Sequence, residues 1–266
     1  MRSCLTALAL TALTASGEPS NGHADAVWLA EQGGATDGPI RSVIKLTIEE
    51  GWHTYWVNPG EGGMPLSVKW DLSEGWTAGD IQHPTPKRFL TGELPGFGYE
   101  GAVFLPVDLT PPPSHEGAVT LSGRLSWLTC NDSSCVPGSA KISLQFGRKA
   151  EAGEGNNDLI EKAYKAIPQP LSGASLQAEV EGEEVIVRLT LPTSSTLDLT
   201  TCEVFPMTRN VIDPAAEPRF SALAASPQTW RATAPKSEYL EGQPESLTLV
   251  LSSQGQPPVL VSTQPK

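Results

Sequence analysis

Short segments in which apolar and polar residues alternate recur along this chain, separated by proline and glycine. Alternation with a period of two places the apolar side chains on one face, as in a half-buried β-strand. Glycine supplies 25 and proline 24 of the 266 residues, and both are spread as turns through the chain. Many short strands joined by frequent turns predict an all-β fold of the sandwich type.

The alternating segments form two blocks. The first block comprises residues 43–48, 66–70, 103–109, 119–125 and 140–144, and the second comprises residues 175–180, 185–191, 202–205, 247–251 and 259–261. Between the blocks, a helical pattern over residues 158–166 ends before Pro168, as helices tend to do before proline. The sequence therefore predicts a first domain at 27–148, a linker with a short helix at 149–170, and a second, smaller β-sandwich domain at 171–266.

The N-terminus has the layout of a secretory signal peptide. Arg2 precedes a short apolar run from Leu5 to Ala15, which is too short to span a bilayer. Small residues predict a signal region within 1–26, with cleavage near residue 17 or 26. No later run approaches 18 apolar residues, so we expect an exported protein that is soluble outside the cytoplasm, without stable membrane insertion. The net charge of −12 argues against nucleic acid as a partner.

Two cysteines lie close enough in sequence to act as a pair. Cys130 and Cys135 are separated by the small polar residues 131–134, which favour a turn, and alternating segments flank them. Antiparallel strands would place the two cysteines opposite each other, at a separation that a disulfide tolerates. Such a bond either pins the hairpin as a structural disulfide or exchanges with other thiols, and the spacing alone leaves both interpretations open.

The remaining cysteines and the histidines form no recognisable site. Cys4 would leave with the signal peptide, and Cys202 is most simply a buried apolar residue, with a regulatory or intermolecular thiol as the alternative. His53, His83 and His115 lack the spacing of metal ligands. We therefore predict neither a metal nor an organic cofactor, with Cu(I) bound through the cysteines as the alternative.

Four motifs together resemble a known family. The motifs are residues 51–63, 83–89, 98–107 and 130–137. In this order they resemble the N-terminal periplasmic domain of the DsbD and ScsB thiol:disulfide interchange proteins, the disulfide bond corrector family. The resemblance covers about residues 27–148, and the pattern around Phe205 and Pro206 is similar to the second extracytoplasmic segment of ScsB-type members.

The resemblance implies a fold, a chemistry and partners. It implies an immunoglobulin-like first domain in which Cys130 and Cys135 carry electrons from a membrane protein to thioredoxin-like periplasmic proteins. Those proteins serve disulfide isomerisation, cytochrome c maturation or stress defence. Because the family's membrane helices are absent from this sequence, we expect a separately encoded membrane electron donor. Family members cover the cysteines with an aromatic loop, which implies Phe97, and next Tyr99, as the cap or partner-binding residue.

The predicted function is that of a periplasmic thiol:disulfide interchange module, a component of a protein-disulfide reductase system. We expect Cys135 to meet the partner, and Asp132 in the turn to disfavour a thiolate. The alternative is a non-enzymatic extracytoplasmic protein that binds or recruits a partner and carries a structural disulfide.

Overall fold

The computed structural model describes residues 22–31, 38–113, 118–146, 156–224 and 226–264. Residues 1–21 of the expected signal region and His115 lie outside these ranges. Across the described residues the chain is nearly all β-strand, with one short helix between two sets of strands. The predicted all-β fold is therefore confirmed.

The elements before the helix supply one set of strands. They are β1 (Ala24–Ala30), β2 (Ile40–Ile48), β3 (His53–Gly60), β4 (Ser67–Asp71), β5 (Thr77–Ala78), β6 (Lys87–Thr91), β7 (Leu94–Glu100), β8 (Ala102–Thr110), β9 (Val119–Cys130) and β10 (Cys135–Phe146). Sheet 1 has the order β1-β2-β8-β5, and sheet 2 has the order β10-β9-β3-β7-β6, with β4 also paired to β9. Together they form the first sandwich, whose core contains Trp28, Trp56 and Trp127, all fully buried.

The helix and the later strands complete the fold. They are α1 (Asn157–Lys165), β11 (Gln169–Pro170), β12 (Ser175–Glu181), β13 (Glu184–Thr190), β14 (Glu203–Pro206), β15 (Ser221–Leu223), β16 (Ser226–Pro235), β17 (Thr248–Ser252) and β18 (Val259–Ser262). Sheet 3 has the order β11-β18-β17-β14 and sheet 4 the order β12-β13-β16-β15. These two sheets form the second sandwich around a core that includes Leu189 and Leu251.

The first strand constrains the N-terminal boundary of the fold. Ala26 is buried in the middle of β1, and the carbonyl of Gly22 accepts hydrogen bonds from Trp127 Nε1 at 3.0 Å and Thr129 Oγ1 at 2.8 Å. Cleavage near residue 26 would remove half of this strand and both hydrogen bonds. Cleavage near residue 17 would leave β1 whole.

The helix α1 packs on the outer face of sheet 1, within one residue of its predicted bounds. Its buried residues Ile160 and Ala163 contact Val43, because a period of 3.6 residues brings them to one face. Tyr164 donates a hydrogen bond to Asp108 Oδ1 at 2.7 Å. The segment between the sandwiches is thus anchored to the first one.

The two sandwiches share an apolar contact. Phe97 of β7 packs edge-on against Phe205 of β14, with ring centroids 6.2 Å apart, and Phe205 belongs to the core cluster of the first sandwich. The buried amide of Asn58 donates from Nδ2 to the carbonyl of Pro206 at 2.7 Å. A buried hydrogen bond beside packed aromatic rings fixes the two sandwiches in one relative orientation.

Arg88 of β6 is the polar centre of this interface. Its guanidinium carbon lies 5.0 Å from the ring centroid of Phe97 and 5.3 Å from that of Phe205. Nη2 donates to the carbonyl of Val204 at 2.7 Å and Nη1 to that of Pro214 at 3.2 Å. A planar guanidinium satisfies both carbonyls while stacking between rings, which a lysine ammonium would not do.

We expect Arg88→Ala to lower the free energy of unfolding by about 2 kcal/mol or more, because hydrogen bonds from a charged donor are lost and two carbonyls are left unpaired. The measurement is urea denaturation followed by tryptophan fluorescence. Arg219→Ala is the matched control, since Arg219 is exposed and its ion pair within the described residues is with exposed Glu217 at 3.0 Å. Its effect should stay within about 0.5 kcal/mol. Equal effects of the two variants would contradict a clamping role for Arg88.

Candidate functional site

The hairpin of β9 and β10 places the two cysteines opposite each other. The register pairs Cys130 directly with Cys135, as the alternating flanks predict. Asn131 organises the turn: its Oδ1 accepts hydrogen bonds from the backbone amides of Ser133 and Ser134, each at 2.9 Å. A side chain that binds the backbone two and three residues ahead stabilises a tight turn. The hairpin therefore holds the two sulfur-bearing residues in a fixed relation.

Cys130 and Cys135 form a disulfide, with 4.1 Å between their Cα atoms. The two residues differ sharply in exposure, because Cys130 is fully buried whereas Cys135 lies at the surface. Thiol–disulfide exchange requires a thiolate to reach a sulfur atom. An incoming thiolate therefore meets the disulfide from the side of Cys135.

A row of directly paired residues extends from the disulfide across sheet 2. Cys130 pairs with His53 of β3, and His53 pairs on its other side with Glu100 of β7. Directly opposed residues of antiparallel strands have side chains on the same face, with Cβ atoms about 4.5–5.5 Å apart. On the outer face of sheet 2, four residues on neighbouring strands thus follow one another in the order Cys135, Cys130, His53 and Glu100.

His53 is held tightly in this row. Its Nε2 lies 2.9 Å from Thr91 Oγ1, and its ring is packed on that of Phe89 with centroids 3.9 Å apart. Burial lowers the pKa of the His53 imidazole from its usual value, while the carboxylates of Glu100 and Asp132 act to raise it. An imidazole thus lies beside the buried cysteine, although the turn between the cysteines contains none.

Two glycines allow Phe89 to reach His53. Gly96 and Gly98 of β7 lie under the Phe89 ring, where a Cβ atom on either would come within 2.9 Å of that ring. A Cβ on Gly98 would also collide with the carbonyl oxygen of Thr54. Because these positions carry no side chain, the ring lies across β7 and covers the outer side of His53.

The structure does not bring Phe97 and Tyr99 to the disulfide. Tyr99 pairs with Thr54, one residue from the Cys130 row, so alternation directs its side chain to the opposite face of sheet 2. Phe97 lies on that same inner face, packed against Phe205, and Tyr99 donates to the carbonyl of Pro84 at 2.8 Å. This placement corrects the expectation of a cap at these residues. The aromatic rings that contact His53 on the disulfide's face of the sheet are those of Phe89 and Tyr55.

Sequence reasoning missed His53, Phe89 and Thr91 as neighbours of the disulfide. His53 and Phe89 lie in two of the motifs that carry the family resemblance, but only strand register shows that they meet Cys130. His83 is elsewhere, in the segment before β6, and burial lowers its pKa to about 4. The described residues contain no cluster of three or more ligands that could hold a metal ion.

The fold and the site define a class of protein: an immunoglobulin-like β-sandwich that presents a half-exposed disulfide at the end of a hairpin. Residues 27–147 match the family model described as "Thiol:disulfide interchange protein DsbD, N-terminal". This match supports a DsbD-type N-terminal domain over the first sandwich, as the motifs indicate.

A solved structure extends the likeness of fold to both sandwiches. The chain is similar to the N-terminal periplasmic domain of ScsB from Proteus mirabilis, with a TM-score of 0.63 and 18% sequence identity, over 91% of this chain and 92% of that chain. No curated protein matches the sequence significantly. At this identity the similarity shows a shared fold.

We expect Phe89→Ala to speed reduction of the disulfide by dithiothreitol severalfold, because removing the ring opens the outer face beside Cys130. Phe97→Ala, on the inner face, is the matched control. It should lower stability by about 3–5 kcal/mol through lost core packing, while the reduction rate of the folded protein stays unchanged. Stopped-flow reduction with alkylation of the released thiols measures both rates. A faster rate in Phe97→Ala alone would favour the original cap assignment.

Proposed function

We propose that this protein is a periplasmic thiol:disulfide interchange module that passes electrons through Cys130 and Cys135 to thioredoxin-like proteins. The unequal exposure of the two cysteines carries this proposal. A bond with one buried and one exposed sulfur is open to attack at a single atom and keeps its second sulfur ready to resolve the product. The match of the first sandwich to the interchange family supports the same chemistry.

Donation of electrons follows from this arrangement. In the reduced module, the Cys135 thiolate attacks a sulfur of the partner's disulfide, forming a mixed disulfide and releasing the partner's other sulfur as a thiolate. The Cys130 thiolate then attacks Cys135 Sγ. The Cys130–Cys135 bond forms, the partner leaves fully reduced, and two electrons have moved to the partner.

The module must itself be reduced by another dithiol. We assign this role to a separately encoded membrane protein, whose dithiol would attack Cys135 Sγ and reverse the sequence of steps. Among the described residues, no helix has the length and apolar character needed to cross a membrane. An N-terminal signal would export the chain to the compartment where such a donor and thioredoxin-like acceptors meet.

An exposed apolar edge beside the disulfide fits a protein partner. Leu90 and Leu94 flank the turn of the β6–β7 hairpin, with 60% and 43% of their surfaces exposed. Thr91, between them, binds His53 in the row that contains Cys130. Exposed apolar side chains at a reactive site are a feature of surfaces that bind other proteins. We assign this hairpin turn to partner docking.

The exchange is tested with single-cysteine variants of the whole chain. Thioredoxin that keeps only its attacking cysteine, activated with Ellman's reagent, should form a mixed disulfide with Cys130→Ser at least about tenfold faster than with Cys135→Ser, because only the exposed thiolate is accessible. Non-reducing gel electrophoresis measures the adduct. The matched control is Cys202→Ser, which should leave electron transfer from the reduced chain to oxidised thioredoxin unchanged.

The reduction potential of the cysteine pair, together with the electron-transfer assay, distinguishes a structural disulfide from an exchanging one. A structural bond would show a reduction potential below about −300 mV and no transfer to thioredoxin. Those two results together would reject the interchange function and leave the binding protein with a structural disulfide.

We expect the double variant Leu90→Ser with Leu94→Ser to slow exchange with thioredoxin about tenfold, which corresponds to about 1.4 kcal/mol of lost docking energy. Reduction by dithiothreitol should keep its wild-type rate, because a small thiol needs no docking surface. Leu223→Ser, on β15 of the second sandwich, is the matched control. Slower reaction with both reductants would show instead that the hairpin turn shapes the disulfide itself.

A further inference from the structure

The side chain beside the buried cysteine carries a titratable nitrogen. His53 is the direct cross-strand neighbour of Cys130, and the sheet directs both side chains to the same face. Its Nε2 is engaged by Thr91 Oγ1, while Nδ1 makes no hydrogen bond to the described residues. The packed ring of Phe89 and the bond to Thr91 restrict the imidazole to one orientation.

We propose that His53 couples the Cys130–Cys135 bond to a proton, by stabilising and protonating the sulfur of Cys130 when the bond opens and by receiving that proton when it closes. This inference rests on the proposed interchange function and adds a control of that same site. It assigns a role to a residue outside the cysteine pair.

Atoms and electrons are conserved when the bond opens. A partner thiolate attacks Cys135 Sγ, a new S–S bond forms, and the electron pair of the old bond remains on Cys130 Sγ. This thiolate emerges in a fully buried position, where water cannot stabilise it. An imidazolium at position 53 supplies the opposite charge and then its proton, which leaves a neutral imidazole beside a Cys130 thiol. In the closing step the imidazole accepts the proton from the Cys130 thiol, and the resulting thiolate attacks Cys135.

The charges around His53 set the pH range of this effect. The carboxylate of Asp132 faces it from the cysteine turn and that of Glu100 from β7, where Lys87 of β6 pairs with Glu100 at 3.3 Å. Tyr55 contacts it edge-on from its own strand. Because burial has the largest effect and lowers the His53 pKa, the imidazolium of the oxidised protein becomes populated at a lower pH than that of an unperturbed histidine. A thiolate at Cys130 raises that pKa, so opening the bond favours proton uptake.

The test follows the rate of disulfide opening by dithiothreitol from pH 4.5 to pH 8, divided by the fraction of reductant present as thiolate. In the wild-type chain the corrected rate should rise as the pH falls through the pKa of His53. The His53→Gln variant should lack this rise. Equilibration with glutathione at pH 7 should give His53→Gln nearly the wild-type equilibrium constant for reduction, because the imidazole is mostly neutral both before and after the bond opens at that pH. A large change in that constant would indicate a structural role for His53 instead.

Two further variants separate this role from a structural one. Thr91→Val keeps the imidazole and removes the hydroxyl that lies 2.9 Å from His53 Nε2 and 3.2 Å from Tyr55 Oη, so the step in the rate should remain with a shifted midpoint. His83→Gln removes a buried histidine of another segment and should retain the wild-type profile. A wild-type pH profile in His53→Gln would overturn the inference, although the exchange function would stand. A wild-type disulfide that neither glutathione nor thioredoxin reduces would instead remove the function on which the inference rests.

Discussion

The pairing of β3 with both β9 and β7 is the constraint on which the site depends. This register brings His53 to Cys130 on one side and to Glu100 on the other. A slip of one residue would reverse every side chain of β3 and place Thr54 beside the cysteine. The hydrogen bond from Thr54 Oγ1 to the carbonyl of Leu128, at 3.0 Å, opposes such a slip from the inner face. The chemistry of the outer face thus depends on a contact made inside the sandwich.

Two adjacent residues of β6 connect this site to the second sandwich. Arg88 faces inward, between the rings of Phe97 and Phe205, and Phe89 faces outward, over His53. Because successive side chains of a strand point to opposite faces, fixing Arg88 also fixes the position from which Phe89 extends. The second sandwich therefore helps to hold the aromatic ring against the imidazole, although its own residues lie on the other side of the sheet.

The sequence predicted the secondary-structure elements well, but it did not predict which side chains meet across neighbouring strands. Alternation and turn residues located strands that the structure contains, and they placed Cys130 opposite Cys135, because a short hairpin is decided by residues close in sequence. Phe97 was expected to cap the cysteines but lies on the opposite face of the sheet, because the face to which a side chain points depends on strand pairing with segments some forty residues away. His53 and Phe89 were visible as parts of motifs, but local patterns do not report that two strands bring them together across a sheet. Arg88 stands in the same motif as Phe89, but its interface role was not predictable, because its carbonyl acceptors lie more than a hundred residues further along the chain.

A comparison of the two buried cysteines shows why burial alone does not make a reactive thiol. Cys202 has no exposed surface, its sulfur lies 2.9 Å from Ser253 Oγ, and burial raises the pKa of its thiol. A thiol kept neutral and out of contact with solvent neither attacks a disulfide nor meets another chain. Cys130 is equally buried, but it is joined to a surface cysteine and lies beside an imidazole. In the proposed exchange, reactivity at Cys130 therefore depends on its two neighbours: Cys135 meets the partner, and His53 supplies the charge that the buried sulfur would otherwise lack.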